Sequence, residues 1–292
     1  MKDFIYLNYD LYVDKIYFNK RYFFFASDYK IYIIKFNKDS LEGMNKLISL
    51  TNNLYTFIPV NTFLLNKNNE FISKYNDEYI LLLRVNNIEK DFELNDIYKF
   101  WNINSNLDNY NILDDWMKII DNLEKKLTTY NKEYPIIQKS VNYFIGLGEN
   151  AIELLMDYNN QINNNNDSIG HKLSYELFNN NDLYNPFLFI KTNKMYDISN
   201  YIKYKFLKNE IDYNEIELFF LNGNEYENVF LFSCLLYPSI YFDLVNNILL
   251  EKEEEGKIEL FIKRRKKYIK LLSFCKKIVK NNKNIKLINW FE

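Results

Sequence analysis

The hydrophobic period changes once along this chain, and that change constrains the fold more than any single motif. Up to about residue 90 the apolar residues fall in short Tyr-, Phe- and Ile-rich runs separated by turn residues. They predict strands at Phe4–Val13, Tyr22–Ala26, Lys30–Phe36, Val60–Leu65 and Tyr79–Val85, with a shorter one over 70–74 after a hairpin at 67–69. One helical pattern, built on Leu41, Met44, Leu47 and Ile48, interrupts them over 38–53. Asn86-Asn87 then reads as a hinge.

Beyond about residue 92 the spacing is helical. Helices are expected at 93–102, 111–129, 132–159, 195–208, 212–221, 225–250 (interrupted at Pro238) and 255–281. The segment 169–194 reads as a loop that holds the only histidine, His171, followed by a short strand at Phe187–Ile190. The fold class is therefore α+β, with a small antiparallel-sheet lobe carrying one helix over 1–88 and a larger helical lobe over 89–292.

Composition excludes several classes. Charged residues are 26% and the formal net charge is −2, so the chain is neither fibrous nor wholly disordered. There are 46 Asn, 26 Tyr and 24 Phe against 2 Ala and 4 Arg, the signature of an AT-rich genome. On that basis the Asn163–Asn166 and Asn179–Asn181 runs are loop filler. Asp3 and Asp10 near the start do not fit a secretory signal, and no apolar run was expected to reach the ~20 residues of a membrane span. Cys234 and Cys275 lie in apolar helical patterns and can form neither a disulfide framework nor a zinc site. A reducing, cytoplasmic setting follows.

Several short motifs occur in a telling order. Tyr32-Ile33-Ile34-Lys35 puts a lysine near the end of the third strand expected, and Glu42 opens the helix after it. A long helix with Tyr143-Phe144-Ile145-Gly146-Leu147-Gly148 leads toward His171-Lys172-Leu173. Asn185-Pro186-Phe187-Leu188-Phe189-Ile190 and Tyr196-Asp197-Ile198-Ser199-Asn200-Tyr201 follow, and Leu236-Tyr237-Pro238-Ser239 lies further on. This order resembles the protein-kinase and aminoglycoside-phosphotransferase superfamily. In detail it is most similar to the spore-coat kinase-like proteins (CotS and YutH type) of low-GC Gram-positive bacteria. The resemblance implies a two-lobe kinase-like fold, a vestigial nucleotide site at Lys35 and Glu42, and a catalytic loop around 169–197.

The departures from that pattern are as informative as the matches. Phosphoryl transfer rests on a phosphate cradle, a lysine, an orienting carboxylate and metal ligands. The first glycine in the chain is Gly43, after all three opening strands, so no glycine cradle precedes Lys35. Leu173 stands at the catalytic Asp position, Asn185 lies twelve residues beyond it, and Lys191 stands where the metal-binding Asp belongs. Side chains alternate along a strand, so branched Ile33 shares a face with Lys35 and crowds the space for a base. These departures imply a degenerate, non-catalytic member that needs no cofactor and serves as a binding or scaffold module for an unidentified coat or envelope protein. Two alternatives stay open: a phosphotransferase with atypical catalytic residues, which would use ATP and Mg²⁺, and binding through the C-terminal segment.

That segment, 257–292, holds 10 Lys and 2 Arg against 2 Glu, a net of +10, leaving −12 for the rest of the chain. Apolar Ile258, Phe261, Ile262, Ile269, Leu272, Cys275, Ile278 and Val279 recur at helical spacing opposite the basic residues. Such a helix can face nucleic acid or an anionic membrane, or it can turn its charge toward the acidic body, including Glu251–Glu255. His171 is expected to be a scaffold histidine, Asp197 a helix-opening carboxylate, and Gly146 and Gly148 sites of close helix packing. Lys35 is expected to pair with Glu42, and Lys191 to approach the same space as Lys35.

Overall fold

The structure is a computed structural model that describes residues 1–19, 21–26, 29–58, 60–86, 93–129, 134–162, 171–175, 184–250 and 253–280. The two Asn runs, Asn87, Asp182, Leu183, Glu251 and the stretch 281–292 lie outside the described residues. The chain forms two compact units: residues 1–109 with 172–191, and residues 110–171 with 192–292.

The first unit is built on an antiparallel sheet. Its strands are β1 (Tyr17–Asn19), β2 (Arg21–Ala26), β3 (Tyr29–Phe36), β4 (Thr62–Phe63), β5 (Ile72–Tyr75) and β6 (Glu78–Arg84), in the order β1-β2-β3-β6-β4 with β5 also paired to β6. Central β6 buries Ile80, Leu81, Leu82 and Leu83 on both faces, so it reads as a continuous apolar run. The β5–β6 hairpin closes through Asn76 at φ 55°, a left-handed position that Asn tolerates.

The opening segment is a correction. Phe4–Val13 was expected as a strand because Phe, Tyr, Ile and Val favour strands, yet the chain forms helix α1 (Lys2–Tyr9). Ile5 and Tyr9 are one helical turn apart, both buried, and they meet the sheet residues Phe24, Ile31, Ile33, Ile80 and Leu82. Asp10 ends the helix in the left-handed region, and its N–H bonds the Tyr6 carbonyl. The tertiary contact overrides the local preference. Helix α2 (Leu41–Tyr55) follows a 3₁₀ turn at Lys38–Ser40 whose cap, Asn37, accepts from the Ser40 N–H at 3.2 Å. Helix α3 (Leu94–Trp101) starts on a capping box formed by Glu93 and Asp96.

The second unit is helical: α4 (Ile112–Thr129), α5 (Pro135–Ile162), α6 (Met195–Lys208), α7 (Tyr213–Asn222), α8 (Glu225–Leu236), α9 (Ser239–Leu249), α10 (Gly256–Lys263) and α11 (Arg265–Lys280). In sequence between α5 and α6, β7 (His171–Tyr175) pairs with β8 (Phe189–Asn193) in a two-stranded sheet whose residues 172–175 and 189–191 belong to the first unit; a loop with one short strand was expected here. Helix α8 is the axis of this unit: Val229, Leu231, Phe232, Cys234 and Leu235 are all buried, apolar all round. By length and composition alone the stretch Glu225–Leu249 is apolar enough to cross a bilayer, a test that buried core helices also pass. It is largely buried inside the protein and breaks at Pro238, where the break was predicted.

The C-terminal helix is two helices, not one. At Arg264 the backbone N–H returns to the Phe261 carbonyl and the guanidinium donates to the Leu207 carbonyl, so the helix restarts at Arg265. Among the described residues the segment meets the acidic stretch named from the sequence in part, through Lys257 and Glu253. Glu255 caps α5, accepting from the Ile136 and Ile137 N–H groups at 2.7 and 3.0 Å, while Lys257 and Lys263 pair within their own helical turns with Glu253 and Glu259.

The two α5 glycines differ. A Cβ on Gly148 would stand 2.9 Å from Ile120 Cδ1 and 3.2 Å from the Phe242 ring, whereas one on Gly146 would meet nothing within 4 Å. Close packing thus requires Gly148 alone. Gly148→Val is expected to lose about 1–3 kcal/mol through overpacking, while Gly146→Ala gains about 0.5–1 kcal/mol from helix propensity. Urea unfolding of the two variants checks both signs.

Candidate functional site

Lys35 is the residue expected to meet a phosphate. Across the ladder Lys35 faces Ile80 and Ile33 faces Leu82, so these side chains and Ile31 share one side of the sheet. That side is roofed by α1. At the sheet margin the Lys35 Nζ lies 2.8 Å from Glu78 Oε2, a pair in which both side chains are substantially exposed. It is worth at most about 1 kcal/mol.

The expected Lys35–Glu42 pair does not form. Glu42 is 83% exposed and pairs 3.1 Å away with Lys46, its neighbour one turn along α2. Lys46 also approaches Asp108 at 3.8 Å, and the Glu42 bond raises its pKa first, with Asp108 adding to it. The buried side of α2 is Leu47, Ile48, Leu50, Thr51 and Leu54, which leaves Glu42 outside.

The segment that was expected to be a catalytic loop docks on the other side of the sheet. Phe63 of β4 pairs with Leu83, which also faces Tyr32, so all three lie opposite Lys35. Phe187 meets Phe63 edge-on at 5.9 Å, and Phe189 meets Phe100 of α3 at 5.6 Å. Segment 184–190 therefore cannot share a pocket floor with Lys35, and the expectation that Lys191 and Lys35 approach one space fails. Lys191 is half-buried, continuing β8 and bridging to Asn109.

His171 and Leu173 lie on strand β7 and not in a loop, and Leu173 is fully buried. The residue that the resemblance matched to the family's Asp is thus a core residue here. Asn185 is buried, and its Oδ1 accepts from the Phe187 N–H at 3.2 Å, capping the 3₁₀ turn at Pro186–Leu188. Asp197 is buried in the first turn of α6, the place expected of a helix-opening carboxylate, and just before that helix Asn193 Oδ1 accepts from the Met195 N–H at 2.9 Å. Lys194 beside it pairs with buried Glu227 at 2.7 Å.

Sequence reasoning missed Tyr184, the residue that holds this segment in place. Its backbone is left-handed at φ 66°, and its carbonyl accepts from the Asn61 N–H at 3.0 Å. Its buried phenol bonds Asp96; burial and that carboxylate drive its pKa up. Asn61 in turn accepts from the Asn86 N–H at 2.9 Å, and the Asn86 amide donates to the Val60 carbonyl at 2.7 Å. The only hint in the sequence was the turn-prone Tyr184-Asn185-Pro186.

Three features bear on whether a nucleotide and its metal could be held by the described residues. Lys35 is held by Glu78 on the α1 side, no glycine precedes it, and the described residues offer no group of three or more His, Cys, Asp or Glu side chains placed to hold a metal ion.

Known proteins resemble this chain in fold and, for one family, in sequence. No curated protein matches the sequence. Among solved structures, an aminoglycoside phosphotransferase from Alicyclobacillus acidocaldarius matches with a TM-score of 0.59 at 9% identity, over 94% of each chain. The spectinomycin phosphotransferase APH(9)-Ia in complex with ADP and spectinomycin matches with a TM-score of 0.54 at 10% identity, over 96% of this chain and 95% of that one. Its AMP-bound form matches at 0.51. At such identities the likeness shows the fold, which is that of the kinase-like aminoglycoside phosphotransferases. The sequence itself matches the family described as "Spore coat putative kinase YutH" over residues 2–275, so the chain belongs to the YutH family of spore coat kinase-like proteins.

Proposed function

We propose that this chain is a catalytically degenerate kinase-like protein that works as a binding or scaffold module associated with the spore coat. One observation carries the reading: the lysine at the phosphate position points to the α1-roofed side of the sheet and is engaged by Glu78, while the loop segment docks on the opposite side. Positioning is most of phosphoryl-transfer catalysis. A lysine and a loop separated by the thickness of a sheet do not supply it. Leu173 in the core and Lys191 at the metal-ligand position support the same reading.

A thermal-shift titration tests it, since a ligand bound only to the folded state raises Tm. ATP with Mg²⁺ is expected to leave Tm unchanged in the wild type and in Lys35→Ala alike. Lys35→Ala itself is expected to cost less than about 1 kcal/mol, as for other exposed ion pairs. An Mg²⁺-dependent rise of several degrees in the wild type, lost in Lys35→Ala, would restore the phosphotransferase reading.

A further inference from the structure

Along α11, Lys266, Lys270, Lys277 and Lys280 are exposed and have no ion-pair partner among the described residues. With Ser273 between them they follow alternating steps of four and three, which puts them in one row on one helix face. At 1.5 Å per residue the row is about 21 Å long. The neighbouring cations are occupied: Lys263 by Glu259 at 3.2 Å, Lys267 by Asn209 Oδ1 at 3.4 Å, Arg264 by the Leu207 carbonyl, and Arg265 over the Tyr143 ring at 5.2 Å.

Beside the row lies a groove with a cavity of about 240 Å³. Its floor is Phe206, Ile211, Tyr213 and Leu271, and Lys267 and Lys270 stand at its rim. Tyr213 is fixed there by edge-on contact with Phe274 at 4.8 Å.

We propose that this face binds an acidic protein segment that seats one apolar side chain in the groove and lays its carboxylates along the lysine row. Charge complementarity favours a polyanion, and the apolar floor selects among polyanions. A phosphodiester backbone has nothing aliphatic to place there, and the row itself is lysine, which meets phosphate as a point charge without the bidentate fork of arginine. Insertion into a bilayer would require the apolar face of α11, but Tyr268, Leu271, Leu272, Cys275 and Val279 are buried in the protein. The proposal rests on the scaffold reading and names the chemical class of partner.

The test is a fluorescence-anisotropy titration of the full chain, without nucleotide, so that its outcome is independent of the thermal-shift result. The probes are a labelled Asp/Glu peptide with one central Phe, the same peptide with Ala in place of Phe, duplex DNA of arbitrary sequence, and phosphatidylglycerol vesicles. The Phe peptide is expected to bind at least about tenfold more tightly than the Ala peptide, as an apolar side chain filling a pocket does. Binding should weaken with salt and fall at least about tenfold when Lys266, Lys270, Lys277 and Lys280 are all changed to Gln. These residues are exposed, so an unchanged urea midpoint verifies folding. Equal affinity for the two peptides, tighter binding of DNA or vesicles, binding indifferent to the lysines, or no binding at all overturns the proposal.

Discussion

Ile5→Asp is expected to remove about 4 kcal/mol or more of stability, the range of a charge forced into a sealed core. Ile5 has no exposed surface and lies in the cluster with Tyr9, Val13, Phe24, Ile31, Ile33, Ile80 and Leu82. Around it α1 is tied down elsewhere: the N-terminal amine meets the Tyr75 hydroxyl at 3.2 Å, the Phe4 ring meets Tyr75 at 4.7 Å, and the Lys67 N–H donates to the Asn8 carbonyl at 2.7 Å. An aspartate there has no cationic partner and cannot turn to water without lifting the helix off the sheet. Ile5→Leu keeps the volume and should cost less than about 1.5 kcal/mol. Urea unfolding distinguishes the two. A loss below about 1 kcal/mol for the Asp variant would mean that α1 does not roof this face, and that Lys35 is not set apart from the loop segment by it.

The same roof explains what could and could not be read from the sequence. Strand parity correctly placed Ile33 and Lys35 on one side, because alternation is a local rule. Parity does not say which side of a sheet faces which neighbour. That is settled by α1, and α1 was hidden because Phe4-Ile5-Tyr6-Leu7 has a strand-like composition and only its i, i+4 pair, Ile5 and Tyr9, reports a helix.

The helical unit was more legible. Long apolar periods survive single ambiguous residues, and Pro238 announced its own break. The stop at Arg264 was not legible, since it depends on a guanidinium finding the Leu207 carbonyl 57 positions away. For the site, the missing glycines, Leu173 and Lys191 were readable as identities. The pairing Lys35–Glu78 was not, because a cross-strand neighbour depends on a register that only the folded ladder sets. Tyr184 stayed invisible for a related reason: its role comes from Asn61 and Asp96, far away in sequence.

The wild-type protein should gain stability between about pH 8 and pH 10 through Lys203, and Lys203→Met should lack that gain. Lys203 of α6 is buried, and its ammonium donates to the Tyr237 carbonyl and to Ser239 Oγ, both at 2.9 Å, across the break between α8 and α9. Burial lowers its pKa to about 8 from 10.5, against smaller opposing pulls from Cys234 and Asp243. Between those values the unfolded chain holds the proton and the folded chain does not, so unfolding takes one up and stability rises with pH. The slope approaches about 1.4 kcal/mol per pH unit and the whole window is worth about 3 kcal/mol. Below pH 8 the lysine is charged in both states and its cost is constant. Buried Cys234 and Cys275, each raised from 9.0 to about 12, work in the opposite sense. Their folded thiols keep protons that the unfolded chain releases, so their stabilisation is lost as pH rises above about 9. The informative quantity is therefore the difference between wild type and Lys203→Met, measured by urea unfolding at successive pH values. Near neutrality the variant should be close to wild type or slightly more stable, because it removes a buried charge while the Tyr237 carbonyl keeps the Ser239 N–H at 2.9 Å. A difference that does not change from pH 7 to pH 10 would show that Lys203 titrates as an ordinary lysine, and that water or a carboxylate reaches it in the core.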